Sequence, residues 1–327
     1  MKKLANKPEA RSHAKRLLLP CGPLSFSQIS TYILCPRSYY FQYIQRVPRV
    51  GWTENLSLGG CAHKGLETIL LQKQSGKPIN DIATSRAAYT GLQHDIRRAK
   101  VSKQEVAYID KQFKSIEKLF DLFKKDFLPK INPTAIEHSF WVMLGGFPIV
   151  LKIDLIDNNE KVTDFKLSRK MKSEYDAYQS LQLSLYSAGV EIPKASFITL
   201  KFPDLTKKTA WKPAIREVVT TKKSGDISWC EDVVASFARG IIRDSQEGCE
   251  EAFMLCDPGS WKCSPKMCDW WPMCRGKERT SQVARPDWIG TLFTDWNDLG
   301  NEDRGGEKKS TVKPDWIKDG FGTWGNL

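Results

Sequence analysis

The chain of 327 residues has no apolar run near the roughly 18 residues that a membrane-spanning helix requires. Its basic start, MKKLANKPEARSHAKR, leads only into a short LLLP and lacks the apolar centre of a secretory signal. The expected location is therefore the cytoplasm, or the host cytoplasm if the gene is viral. Cysteine is too sparse and uneven for a disulfide scaffold: nine residues in a chain this long point to reduced thiols and, where they crowd, to a metal or cofactor. Solenoid periodicity is also missing, because only two similar pieces occur, RPDWIGTLFTDW and KPDWIKDGFGTW. Acidic residues are outnumbered, 38 against 50 Lys and Arg, giving a formal charge of +12 and a pI near 9.2. That balance suits a polyanionic partner, although membrane-surface and ordinary soluble proteins share it, so the site residues must decide.

The patterning is mixed α/β. Residues 1–22 read as a flexible basic arm, and the structured body starts at Leu24, with Ser25 or Ser27 capping a helix that runs through Tyr32 and Tyr39. Helical stretches follow over about 58–73, 80–98 and 103–127. From Ile136 the period becomes that of strands: EHSFWVML, FPIVLKIDLI and KVTDFKL, separated by GG and DNNE turns. A helix over about 175–189, a strand FITLKF and a helix over about 228–245 come next. Residues 277–327 turn to Gly, Asp, Asn, Lys and Trp and read as a flexible tail. Its two PDWI motifs, at Pro286 and Pro314, either dock bivalently on a protein partner or pack Trp288 and Trp316 back on the core.

Asp154, Asp164 and Lys166 carry the strongest chemical signal. Period-2 geometry turns Asp154 away from its apolar neighbours Ile153 and Leu155, and Lys166 shares a strand face with Asp164. The short DNNE turn lets adjacent strands bring both acids and the amine together. Carboxylates hold hard divalent cations, which lower the pKa of a bound water and offset charge in phosphodiester hydrolysis, and a lysine orients the attacking water. Alone, D-x9-D-x-K more often describes a surface hairpin with acids and a lysine. Other residues add to it: His63 and Glu67 share one helical face in GGCAHKGLE, and Gln182 and Tyr186 lie four apart on a later helix.

In this order, G-x-x-x-H (Gly59 to His63), D-x-K and Q-x-x-x-Y resemble the PD-(D/E)XK nuclease superfamily, specifically its RecB-like branch, over roughly Leu24 to Gly276. The resemblance implies a restriction-endonuclease-like core, a central mixed β-sheet flanked by helices, with a helical insertion and a Cys-rich C-terminal segment. It implies Mg²⁺ or Mn²⁺ held by His63, Asp154, Asp164 and the carbonyl of Phe165, with Lys166 as the active-site lysine and Gln182 and Tyr186 supporting it. Asp164 stands where many members have Glu.

The segment WKCSPKMCDWWPMCRG supplies Cys263, Cys268 and Cys274. RecB-like nucleases of the CRISPR-associated and bacteriophage kinds that carry iron add one N-terminal Cys followed by Pro, matched here by Cys35. That likeness implies a 4Fe-4S cluster stapling the two ends of the nuclease domain across 23–276. Structural zinc is the alternative. Cys249 and Cys256 are substitutes for Cys35, whereas Cys21, Cys61 and Cys230 read as small apolar residues. The expected activity is a Mg²⁺- or Mn²⁺-dependent DNA exonuclease acting on ends or single strands in recombination, replication or repair, ahead of CRISPR adaptation. The competing reading is a non-catalytic DNA-binding or scaffolding subunit.

Overall fold

The computed structural model describes residues 6–47, 54–98, 103–203, 211–265 and 267–275. The tail and its PDWI motifs lie outside the described residues. The sheet grows from β3 (Phe147–Asp157), which is apolar along nearly its whole length because both of its faces are covered. One edge of β3 pairs antiparallel with β2 (Pro133–Leu144) through the Gly145–Gly146 turn. The other edge is divided. Its first half takes the short parallel β1 (Leu24–Ser25), and its last three residues pair antiparallel with β4 (Lys161–Ser168). Beyond Leu155–Thr163, β4 leaves β3 and continues as the parallel partner of β5 (Lys194–Lys201), and β6 (Ile215–Thr221) closes the sheet antiparallel to β5.

Helices cover both faces, as expected for a mixed α/β sheet. On one side lie α1 (Lys7–Arg16), α2 (Phe26–Leu34), α3 (Pro36–Tyr39), α8 (Leu181–Val190) and α9 (Ser224–Glu247), packed on Ile149, Leu151 and Ile153. On the other lie α4 (Glu54–Gln74), α5 (Asp81–Arg98) and α6 (Lys103–Asp126), packed on Leu155, Phe165 and Ile198. The short α7 (Glu174–Tyr178) lies against β6, and α10 (Trp271–Arg275) ends the cysteine-rich segment.

Several local readings change. Residues 7–16 of the basic arm form α1, capped by Asn6 and with Ala10 and Ala14 fully buried, because the two alanines let the helix lie close on the sheet while its charges face out. Ser25, rather than Ser27, caps α2 in a reciprocal box with Gln28. That helix does not run on to Tyr39: Pro36 disfavours helical backbone at the residue before it, and Cys35 sits extended at φ −166°. The helix expected over 175–189 is two helices, since Ser180 breaks the run and caps α8. β6, an IREVVTT run, escaped sequence reading because its inner and outer faces do not alternate cleanly.

Gly145 shows how tightly the hairpin is seated. Its φ is +54°, and a Cβ there would stand 2.3 Å from the carbonyl oxygen of Glu231 on α9. Gly145→Ala is expected to destabilise the fold by on the order of 2–3 kcal/mol, from left-handed strain and backbone overlap together. The same change at Gly59, where a Cβ meets open space within a helix, should be neutral or slightly stabilising in urea denaturation.

Candidate active site

The forking of β4 from β3 creates the site. Asp154 and Asp164 occupy the first opposed positions past the last hydrogen-bonded pair, so their carboxylates meet where the strands separate. Asp154 Oδ2 accepts a 2.7 Å hydrogen bond from the Phe165 backbone N–H, which ties the two strands at the fork. Both acids are buried, Asp164 almost completely. Lys166 follows on β4, its Nζ 2.7 Å from Asp164 Oδ2 as an ion pair and hydrogen-bonded to Gln182 Oε1 at 2.9 Å. The Gln182 amide donates to Asp164 Oδ1 at 2.6 Å and to the Tyr186 hydroxyl at 2.9 Å, and that hydroxyl donates to the Lys152 carbonyl at 2.7 Å. Sequence reasoning placed Gln182 and Tyr186 beside the lysine, and the structure brings all of them together.

His63 reaches the site from α4. Its Nδ1 lies 3.4 Å from Asp154 Oδ2 and 3.7 Å from Glu137 Oε1. Glu67, its companion on the helical face, turns instead to Lys64 at 2.8 Å. Glu137 was missed by sequence reasoning. It lies on β2 opposite Asp154, pairs with Lys152 as well, and holds a left-handed backbone, φ +47°, that an ordinary strand residue avoids at a cost of order 1–3 kcal/mol. The signal was in the turn: Asp154 lies as far beyond Gly145–Gly146 as Glu137 lies before it, and opposed hairpin residues share a face. Three acids therefore stand in a row across β2, β3 and β4. Among the described residues, His63, Glu137 and Asp154 form the set whose ligand atoms lie within 4.8 Å of one another.

The electrostatics fit a cation site. Burial raises the Asp164 carboxyl to about 6, with Lys166 opposing the rise and Asp154 adding to it. Its fully buried Oδ2 faces the Lys166 ammonium, and a carboxylate oxygen has lone pairs enough to receive a cation as well. Burial works against a proton on His63, but hydrogen bonds to Asp154 and Glu137 and the charge of Asp164 prevail and push its pKa up to about 10. Burial opposes ionisation of Glu137, yet His63 and Lys152 hold its carboxyl below the ordinary value.

The sign of the pH dependence follows from these shifts. Stabilisation by the charged imidazole is complete below pH 6.5 and is lost as pH rises towards 10, while the cost of ionising Asp164 grows between pH 3.8 and 6. Cation-free protein should therefore lose melting temperature from pH 6.5 to 10. Added Mn²⁺ should reduce that loss and release a proton measurable by calorimetry in buffers of different ionisation heat. A flat cation-free profile would show that His63 is not held by the acids.

A second constellation lies where the turn between α2 and α3 meets the cysteine-rich segment. All nine cysteines are free thiols. Cys35, between α2 and α3, touches Cys256, which also touches Cys263, and Cys268 and Cys274 lie within electrostatic reach of Cys35. The sequence weighed Cys256 as a stand-in for Cys35; the structure puts both in one group, and Cys249 is exposed. Arg275 donates to Cys263 Sγ at 3.2 Å, and Arg37 fastens the segment by donating to the Phe253 carbonyl at 2.9 Å and pairing with Glu250. Cys61 and Cys230 are buried with thiols pushed up to about 12, in keeping with small apolar residues.

The sequence profile of the PD-(D/E)XK nuclease superfamily matches residues 23–275. The chain belongs to this superfamily. As a PD-(D/E)XK protein it is a nuclease of a class that uses divalent metal and acts on DNA, and the mixed sheet with flanking helices is the fold of that superfamily. Among solved structures, a provisionally named exonuclease from Eubacterium rectale aligns with 92% of this chain and 99% of its own at 11% identity and a TM-score of 0.49. The protein SSO0001 aligns with 55% of this chain and 73% of its own at 16% identity and a TM-score of 0.25. No curated protein matches the sequence. Among the described residues, no helix is long and apolar enough to cross a membrane.

Proposed function

We propose that this PD-(D/E)XK chain is a Mg²⁺- or Mn²⁺-dependent DNA exonuclease of the RecB-like kind, acting at ends in recombination, replication or repair. The observation that carries the reading is the row of Glu137, Asp154 and Asp164 across three strands, with His63 on one side and Lys166 on the other. His63, Asp154, Asp164 and the Phe165 carbonyl are the candidate ligands, with Glu137 added by its position. When bound, the cation supplies charge to the scissile phosphate and acidifies a water. The chain's own groups do the rest: Gln182 fixes Lys166 Nζ beside Asp164, where the ammonium would orient a water brought with the cation, and Tyr186 locks the amide of Gln182 by anchoring to the backbone of β3.

Cys35, Cys263, Cys268 and Cys274, with Cys256 beside Cys35, are the candidate thiolates of a 4Fe-4S staple, and structural zinc is the alternative. The test of the activity is digestion of 5′- and 3′-labelled linear DNA and of circular DNA with Mg²⁺ or Mn²⁺. Metal-dependent loss of linear DNA with circles intact is expected. Equal cutting of circles would replace the exonuclease by an endonuclease, and no metal-dependent cutting would favour a binding subunit.

A further inference from the structure

The connection between the strand that carries Lys166 and the helix that carries Gln182 is itself unusual. It runs Ser168, Arg169, Lys170, Met171, Lys172 into α7, and Arg169 and Lys170 stand in solvent. α7 then presents Tyr175 and Tyr178, 64% and 57% exposed, three residues apart and so on one helical face. Tyrosine rings this exposed are not holding the core.

The platform beneath them is held at both ends. Ala177 is fully buried, and Ser173 and Asp176 cap the helix in a reciprocal box. At its other end Lys222, 3% exposed, gives its ammonium to the carbonyls of Ala177 and Tyr178. A buried lysine is thus committed to fixing a five-residue helix whose outward face is two tyrosines. The platform also adjoins the active site: Lys166 Nζ lies 5.5 Å and Lys172 Nζ 6.0 Å from the centre of the same Phe197 ring. Asp176 lies 3.7 Å from Lys172 but is turned by its capping bonds to Ser173, and Glu174 is the other acid of the segment.

We propose that residues 169–178 form a shelf for the unpaired strand of a DNA substrate, with Arg169, Lys170 and Lys172 on phosphates and bases stacked on Tyr175 and Tyr178. The proposal rests on the nuclease reading and adds the strand form to it. Aromatic faces interleaved with cations are the chemistry of single-strand binding, because every unpaired base offers a face that a duplex hides. Delivery of the strand along this shelf brings its phosphates past Phe197 to Lys166.

The test uses the full chain in EDTA, so that nothing is cut, with a fluorescein-labelled oligothymidylate and a labelled blunt duplex. Tyr175→Ala with Tyr178→Ala should weaken oligothymidylate binding about a hundredfold and leave duplex binding near wild type. The Tyr175→Phe, Tyr178→Phe pair keeps the rings and should stay close to wild type. Arg169→Ala with Lys170→Ala should lower the salt slope of oligothymidylate binding by about one to two. Hydrolysis of bis(p-nitrophenyl) phosphate, which has no base, should be unchanged in the tyrosine variants. Wild-type oligothymidylate affinity in the Ala pair, or an equal loss on duplex, overturns the shelf. A wild type unable to cleave the small diester under any divalent metal counts against the nuclease reading, while the binding comparison still judges the shelf.

Discussion

Lys166→Ala should leave a folded protein that still takes up Mn²⁺ but degrades linear DNA about 10²–10⁴-fold more slowly. The side chain is 31% exposed and its ammonium pairs with Asp164 and Gln182, so truncation removes chiefly a charge and a hydrogen bond. Without its ammonium the Asp164 carboxyl, already raised by burial, rises further in cation-free protein. Added cation should then stabilise the variant at least as much as wild type, read as a Mn²⁺-dependent shift in melting temperature. Full activity in the variant would remove Lys166 from the chemistry, and loss of the Mn²⁺ shift would make it part of the cation site instead.

Cys268→Ala should abolish the brown colour and broad absorption near 400 nm expected of anaerobically purified protein. It should also lower the melting temperature by at least about 10 °C, since the binding energy of the proposed staple would be folding energy. Cys61→Ala is the informative control. Its thiol is buried in the α4–α6 core, so it should cost about 1 kcal/mol of packing and keep the colour. Cys249→Ala, at an exposed position, should change neither. Colourless wild type holding stoichiometric zinc would replace the cluster, and an unchanged Cys268→Ala protein would dismiss both.

What the sequence made legible follows from short-range geometry. The Gly145–Gly146 turn and the DNNE turn each fix a register, and between them they fix which residues oppose Asp154; the second led to Asp164, and the first, uncounted, led to Glu137. Strand period and D-x-K were enough to set Asp154 opposite Asp164 because a hairpin is a local object, but not to show that β4 leaves β3 there. Gln182 and Tyr186 were readable as a pair on one helix, but their bonds to Lys166 and Lys152 depend on how α8 crosses the sheet. α1 was hidden because polar composition dominates it and only two alanines carry its packing. Cys256 joined the thiol group through a loop path that no periodicity describes.

The N-terminal helices have a consequence in time. Arg37 bonds to a carbonyl 216 residues further along the chain, and the Tyr32 hydroxyl bonds to Asp244 on α9. At a synthesis rate of about 5–20 residues per second, these helices wait on the order of 10–40 s after leaving the ribosome before their partners exist. Throughout that interval Cys35 is an unpaired thiol on an unfinished chain. The thiol group can therefore come together only after residue 274 has been made, so the docking of these helices is a late event in the synthesis of residues 6–275.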